Sequence, residues 1–281
     1  MMAFTSIYGV VDGFFVSNFA GKTPFAAVNF IMPVLMILGC PGFMFGTSGS
    51  ALIAKKLGEK QPETANGIFT MLTVCAAVLG LGLGALGIAL LPVIAQLLGA
   101  EGEMLRNCVL YGRIVLLATP FYLLQYYFQC LFATAQKPKL GLYVTVAAGV
   151  CNMALDALFV GAFRWGLTGA ALATAFSQFV GGVVPLIYFA KQRSGSLLVF
   201  TRFRFDGRAL ARTCTNGSSE LMSNISMSLV SMLYNAQLMR CAGEDGVSAY
   251  GVLMYVSMIF MAIFIGYCVG SSCLLYTSDA A

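Results

Sequence analysis

The sequence predicts an all-α, polytopic membrane protein, and three observations carry that prediction. The chain of 281 residues is 59% hydrophobic and only 10% charged, with mean hydropathy +0.86. Its apolar residues come in continuous runs of membrane-spanning length. Its basic residues gather in alternate breaks between those runs. Soluble domains carry about 25% charged residues, so a chain this poor in charge faces mostly lipid. A β-barrel is excluded because barrel strands alternate apolar and polar positions, whereas these runs do not.

An α-helix needs about 20 apolar residues to cross the hydrocarbon core. Eight runs meet that length, at roughly 1–20, 25–54, 67–98, 107–134, 140–162, 167–190, 214–240 and 247–272. The first is not a cleavable leader: no basic residue precedes Lys22, and Asp12 lies within the apolar stretch. An acid at the centre of a span costs about 2.5–3.5 kcal/mol on insertion scales, so Asp12 needs a reason. Tyr8 stands one turn before it on the same polar stripe. The second run holds Pro33, Pro41 and Gly42 and reads as one tilted or kinked span. In the fourth, Gln125, Tyr126 and Gln129 are candidate cavity-lining residues. The chain has 15 Met, 22 Phe and 12 Tyr, soft and aromatic side chains that suit a cavity able to repack around varied apolar ligands.

The fifth run carries Asn152 and Asp156, four residues apart and therefore on one helix face, with Thr145 and Gly149 extending it. The sixth places Thr174 and Gln178 on a face with Gly181, where a neighbouring helix can approach closely. The seventh is the most polar: Glu220, Asn224, Ser228, Ser231 and Asn235 trace a continuous stripe at helical spacing. Such a stripe borders water or another helix. Asp12 and Asp156 together read as two acids in one cavity, able to exchange a proton or an alkali cation for a cationic substrate.

Orientation follows from the basic residues. Eleven of the 16 fall after the second, fourth and sixth runs: Lys55, Lys56, Lys60, Lys137, Lys139, Lys191, Arg193, Arg202, Arg204, Arg208 and Arg212. Cytoplasmic loops are enriched in Lys and Arg, which places these breaks and the N-terminus in the cytoplasm. The net charge of +5 then reflects topology and anionic inner-leaflet lipid, with no nucleic-acid partner expected. The nine cysteines show no CxxC spacing and there is no histidine, so no cofactor and no transition-metal site is expected. Sodium or a proton at Asp12 and Asp156 is the only ion foreseen.

The chain also repeats itself. An offset of 222 residues aligns 19–51 with 241–273 without a gap, and Ala20, Gly21, Ala27, Met32, Val34, Met36, Ile37 and Ser50 meet Ala242, Gly243, Ala249, Met254, Val256, Met258, Ile259 and Ser272. The first hairpin thus recurs as the seventh-and-eighth hairpin, and the repeat unit is six helices in parallel orientation. The expected organisation is an N-lobe over 1–190, a basic cytoplasmic linker over 191–213, and the first hairpin of a C-lobe over 214–272. The ending CLLYTSDAA departs from the basic ALIAKKLGEK of the first copy, so 273–281 reads as a non-native tail.

These residues carry a resemblance. VVDGFFVSNFAG, ALIAKKLGEKQPETAN and CNMALDALFVGAFRWGLTGAALAT resemble the multidrug and toxic compound extrusion (MATE) family of cation-coupled efflux transporters. Family members have twelve helices in two six-helix lobes, so the resemblance implies that this chain holds one lobe and the first two helices of the next. It further implies that Asp12, Asn152, Asp156 and Thr174 form the cation or proton site, and that organic cations or drugs leave in exchange for protons or sodium by alternating access. A monomer in a bacterial inner membrane, with no enzymatic activity, is the matching expectation. Two other classes fit less well. A flippase for a lipid-linked precursor of related fold needs basic residues inside the spans, and none sits centrally there. An intramembrane aspartyl protease needs a GxGD context that neither Asp12 nor Asp156 has.

Overall fold

Helices account for almost everything the computed structural model describes, which is residues 2–191 and 197–278; no strand occurs among them. In order they are α1 (Met2–Phe15), continued by a π-helical turn (Val16–Ala20); α2 (Lys22–Gly58); α3 (Pro62–Leu97); α4 (Gly102–Leu117); α5 (Thr119–Thr134); α6 (Pro138–Asp156), continued by a second π-helical turn (Ala157–Ala162); α7 (Gly166–Lys191); and α8 (Gly207–Ser278). Each apolar run corresponds to helix. Pro33 and Pro41 lie inside α2 without ending it.

The turns follow from local chemistry. Two turns at the basic end share one design: Lys60 and Gln136 take positive φ of 57°, and a proline follows two residues later as the first residue of the next helix. At the opposite end Gly21 (φ 103°) reverses the chain between α1 and α2. Gly243, its partner at the 222-residue offset, has φ 60° and ψ −153° and breaks α8 in two. Tyr234 and Tyr250, on either side of that break, stack with ring centroids 5.8 Å apart, so the two halves form a hairpin. The repeat therefore reproduces a backbone turn as well as a residue pattern.

The two hairpins dock turn to turn. The Thr23 hydroxyl donates to Glu244 Oε2 at 2.8 Å, and Lys22 pairs with Asp245. At the 222-residue offset Lys22 corresponds to Glu244 and Thr23 to Asp245, so each contact is the image of the other, as across a two-fold interface. Asn29 packs against Gly251, its own equivalent.

The fourth run departs from expectation. It is a pair of helices, α4 and α5, bent by 56° at Ala118. Pro120 near the start of α5 fits a first helical turn and has no place in a continuous interior. By length and composition four described helices can cross a membrane, α2, α3, α6 with its π turn, and α7; the bent pair makes five. The first run is divided between α1 and its π turn, and the seventh is polar, which is why the strict test counts fewer spans than eight apolar runs.

Packing without a hydrophobic driving force between helices relies on small residues. α5 is the beneficiary. A Cβ on Gly80 of α3 would stand 2.6 Å from Pro120 Cα, and one on Gly182 of α7 would stand 2.7 Å from the Phe121 carbonyl oxygen. Gly42 and Gly46 of α2 give the same close approach to Leu123 and Tyr127. One buried cluster sits at the basic end, where Phe69, Phe128, Phe132 and Phe189 pack ring on ring. The other, toward the opposite end, includes Phe25, Phe30, Tyr111 and Val247.

The described part of the linker is extended and anchored. The backbone N–H groups of Val199 and Thr201 donate to Asn66 Oδ1 and Thr70 Oγ1, both at 3.0 Å, and Phe200 stacks on Phe69 at 4.7 Å. Asp206 then accepts from the N–H groups of Arg208 and Ala209, capping α8. Helix begins at Gly207, inside the segment expected as linker.

Candidate functional site

Three helices bring the acids and their neighbours together. Asp12 on α1 is 7% exposed, Asp156 at the end of α6 is fully buried, and their carboxyl groups face each other within hydrogen-bonding reach. Asn152, one turn before Asp156, is 2% exposed. Thr174 on α7 meets the hydroxyl of Tyr111 on α4, and that hydroxyl lies in the field of both acids. The four residues expected to bind a coupling ion, Asp12, Asn152, Asp156 and Thr174, thus converge. Tyr111 is a fifth that the sequence pattern did not single out, because nothing on its own helix marks it as polar.

Both acid-bearing helices change to π geometry just after the acid: α1 at Val16 and α6 at Ala157. Single π turns recur at functional sites because they disturb the regular i→i−4 ladder. Here they keep the two acid-bearing segments in contact over their last turns.

The site is polar and short of partners. Asp12 Oδ1, both carboxylate oxygens of Asp156, Asn152 Oδ1 and the Tyr111 hydroxyl are buried with no conventional hydrogen bond among the described residues. Neither acid forms an ion pair there; the two pairs present are Lys22–Asp245 and Lys56–Glu59. Buried polar groups are normally satisfied, and two facing carboxyls cannot both carry charge cheaply. A proton shared between them, or a hard cation held by carboxylate, amide and hydroxyl oxygens, supplies what the protein atoms do not. No group of three or more His, Cys, Asp or Glu suited to a metal occurs among the described residues.

The residues proposed from sequence as cavity-lining are more dispersed. Gln178 lines a small enclosed cavity of about 60 Å³ with Thr119, Tyr122 and Thr174, and its Oε1 is buried without a partner. Gln125 is buried against Gly181, the small residue that admits it. Tyr126 packs on Phe43 and Tyr122 with ring centroids 3.9 Å and 4.9 Å away, while Gln129 is half-buried. Along α8, Glu220 is exposed and accepts from Asn224 Nδ2 at 3.1 Å. Ser228 is buried, Ser231 is half-buried, and Asn235 donates to the Asn29 carbonyl at 2.9 Å. At its far end the stripe therefore meets α2. The side chain of Tyr8 lies outside the described residues.

Fold and site together define a polytopic helical membrane protein with an acid-containing polar site buried between its helices. A family model described as MatE matches residues 1–158, and the chain belongs to the MatE family. It is similar to the multidrug export protein MepA of Staphylococcus saprophyticus, 24% identical over 264 residues, covering 94% of this chain and 58% of that protein. The chain thus spans little more than half the length of this relative. Among solved structures, an inward-facing conformation of a multidrug resistance MATE family transporter of the MOP superfamily superposes with TM-score 0.85 at 21% identity, over 92% of this chain and 58% of that one. The MATE multidrug transporter DinF-BH, solved as a complex with a drug, matches with TM-score 0.85 at 26% identity, over 93% and 60%.

Proposed function

We propose that this chain is the ion-coupling part of a secondary antiporter that exports organic cations or drugs in exchange for protons or sodium. The observation that carries the proposal is the facing pair Asp12 and Asp156, buried beside polar side chains of α4, α6 and α7 with no basic partner among the described residues. MepA is named for multidrug export, and the DinF-BH structure holds a drug, which supports a drug-sized substrate. The eleven basic residues at one end support a cytoplasmic N-terminus in a bacterial inner membrane.

The mechanism is alternating access between two lobes, the first formed by 1–190 and the second begun by 214–272. With the site open to the outside, a proton or sodium ion binds between Asp12 and Asp156 and disfavours the drug-bound state. The drug leaves, the lobes rock, and the ion departs to the cytoplasm. A negative site then favours the next cationic drug. Coupling requires only that each ligand prefer a different state. The chemistry uses no enzymatic step. The test is gradient-driven drug efflux by the full-length gene product in proteoliposomes: imposed proton or sodium gradients should drive efflux in the wild type and not in Asp156→Asn. Equal efflux by the two proteins would remove the acid pair from coupling.

A further inference from the structure

The acid site has one side that is not closed by its own bundle. Asp156 and Asn152 are 0% and 2% exposed, and what exposure remains belongs to Asp12 at 7%. Any ion reaching the pair therefore arrives past Asp12. The residue after it, Gly13, offers no side chain, and the notch is filled from elsewhere. Ring atoms of Tyr255 stand 2.7 Å and 2.8 Å, and its hydroxyl oxygen 3.0 Å, from where a Gly13 Cβ would be. The ring thus lies directly on the α1 backbone. Phe25 of α2 supports it, centroid to centroid at 6.2 Å. The Tyr255 hydroxyl is within the electrostatic reach of Asp12 and of Tyr111.

Tyr255 belongs to the last segment of α8, after the Gly243 break, in the second copy of the repeated hairpin. The side chain covering the acid of the first copy is therefore supplied by the second. The two hairpins are held together at their turns by Thr23–Glu244 and Lys22–Asp245, so any movement that parts them also withdraws the ring from Gly13.

We infer that Tyr255 seals the acid site: its ring occupies the notch at Gly13 and closes the approach to Asp12 while the two hairpins are docked, and uncovers it when they part. Tyr255 is a positioning residue and binds no ion itself. This reading rests on Asp12 being an ion-binding acid, and it adds the physical link by which ion access follows the relative position of the hairpins. The glycine is as necessary as the tyrosine, since any side chain at position 13 displaces the ring.

The test is modification of Asp12 by a water-soluble carbodiimide, read by mass spectrometry, on the 281-residue chain in lipid nanodiscs. Labelling needs no transport, so a failure of gradient-driven efflux and a failure of the seal are separate results. Tyr255→Ala should raise the rate of Asp12 modification about tenfold, as expected when a local opening no longer limits access. Tyr255→Phe, which keeps the ring, should react like the wild type. Maleimide reactivity of Cys108, fully buried in the same bundle, monitors integrity and should stay negligible. If Tyr255→Ala exposes Cys108 as well, Gly13→Ala decides: faster Asp12 modification with Cys108 protected supports the seal, and an unchanged rate overturns it. An unchanged rate in an intact Tyr255→Ala protein, or an equal rise in Tyr255→Phe, overturns it too.

Discussion

Gly80 and Gly82 lie two residues apart on α3, and the same substitution at each should have opposite effects. A Cβ at Gly80 would stand 2.6 Å from Pro120 Cα and 3.1 Å from Pro120 N, whereas nothing lies within 4 Å of the equivalent position at Gly82. Carbon atoms pack at about 3.5–4.0 Å, so Gly80→Ala must push the start of α5 away by about 1 Å. The obstacle is backbone at a 56° bend, which cannot rotate aside as a side chain would. Overpacking of this kind costs about 1–3 kcal/mol, partly offset by the gain of about 1 kcal/mol for replacing glycine by alanine in a helix. Gly82→Ala collects that gain alone. The two variants should differ by about 2 kcal/mol, or about 4–8 °C in melting temperature. Thermal unfolding in detergent, followed by size-exclusion chromatography of the heated samples, measures this directly. Equal melting temperatures, or a more stable Gly80→Ala, would refute the packing of α3 on the α4–α5 bend.

Other consequences follow from particular contacts. Removing the anchor of the linker by Asn66→Ala with Phe200→Ala should speed tryptic cleavage at Arg202 and Arg204 several-fold, read by gel or mass spectrometry. A double-mutant cycle of Lys22→Ala and Asp245→Ala should give a coupling of only about 0.2–1 kcal/mol, because both side chains are mostly exposed (61% and 73%). Exposed Cys241 should react rapidly with maleimide in native protein, while buried Cys108 and Cys40 should not react until unfolding. Tyr111→Phe, which deletes the hydroxyl facing Thr174 and both acids, should weaken the pH or sodium dependence of Asp12 modification while leaving the stability within about 1 kcal/mol of wild type.

Much of this architecture is legible in the sequence. Apolar length marks the helices, and the 222-residue repeat anticipates that Gly21 and Gly243 make matching turns. The spacing of Asn152 and Asp156 puts two polar groups on one face, and their burial follows. What escapes is set by contacts distant in the chain. The bend at Ala118 is hidden because 107–134 is apolar throughout, and Pro120 is the only local cue. Tyr111 is one aromatic among many, distinguished only by partners on α1, α6 and α7. The linker carries no helical or strand period, and it is ordered by Asn66, Thr70 and Phe69 on α3. Tyr255 gives no signal in its own segment, since its meaning depends on a missing side chain at Gly13.

The central question is whether the buried acid pair couples ion movement to drug movement. The decisive measurement is drug efflux from proteoliposomes carrying the full-length gene product, wild type beside Asp12→Asn and Asp156→Asn, under separate proton and sodium gradients. Efflux should be driven by at least one gradient in the wild type and lost in both variants, with each variant still folded and inserted. Undiminished gradient-driven efflux in either variant would contradict coupling through the acid pair.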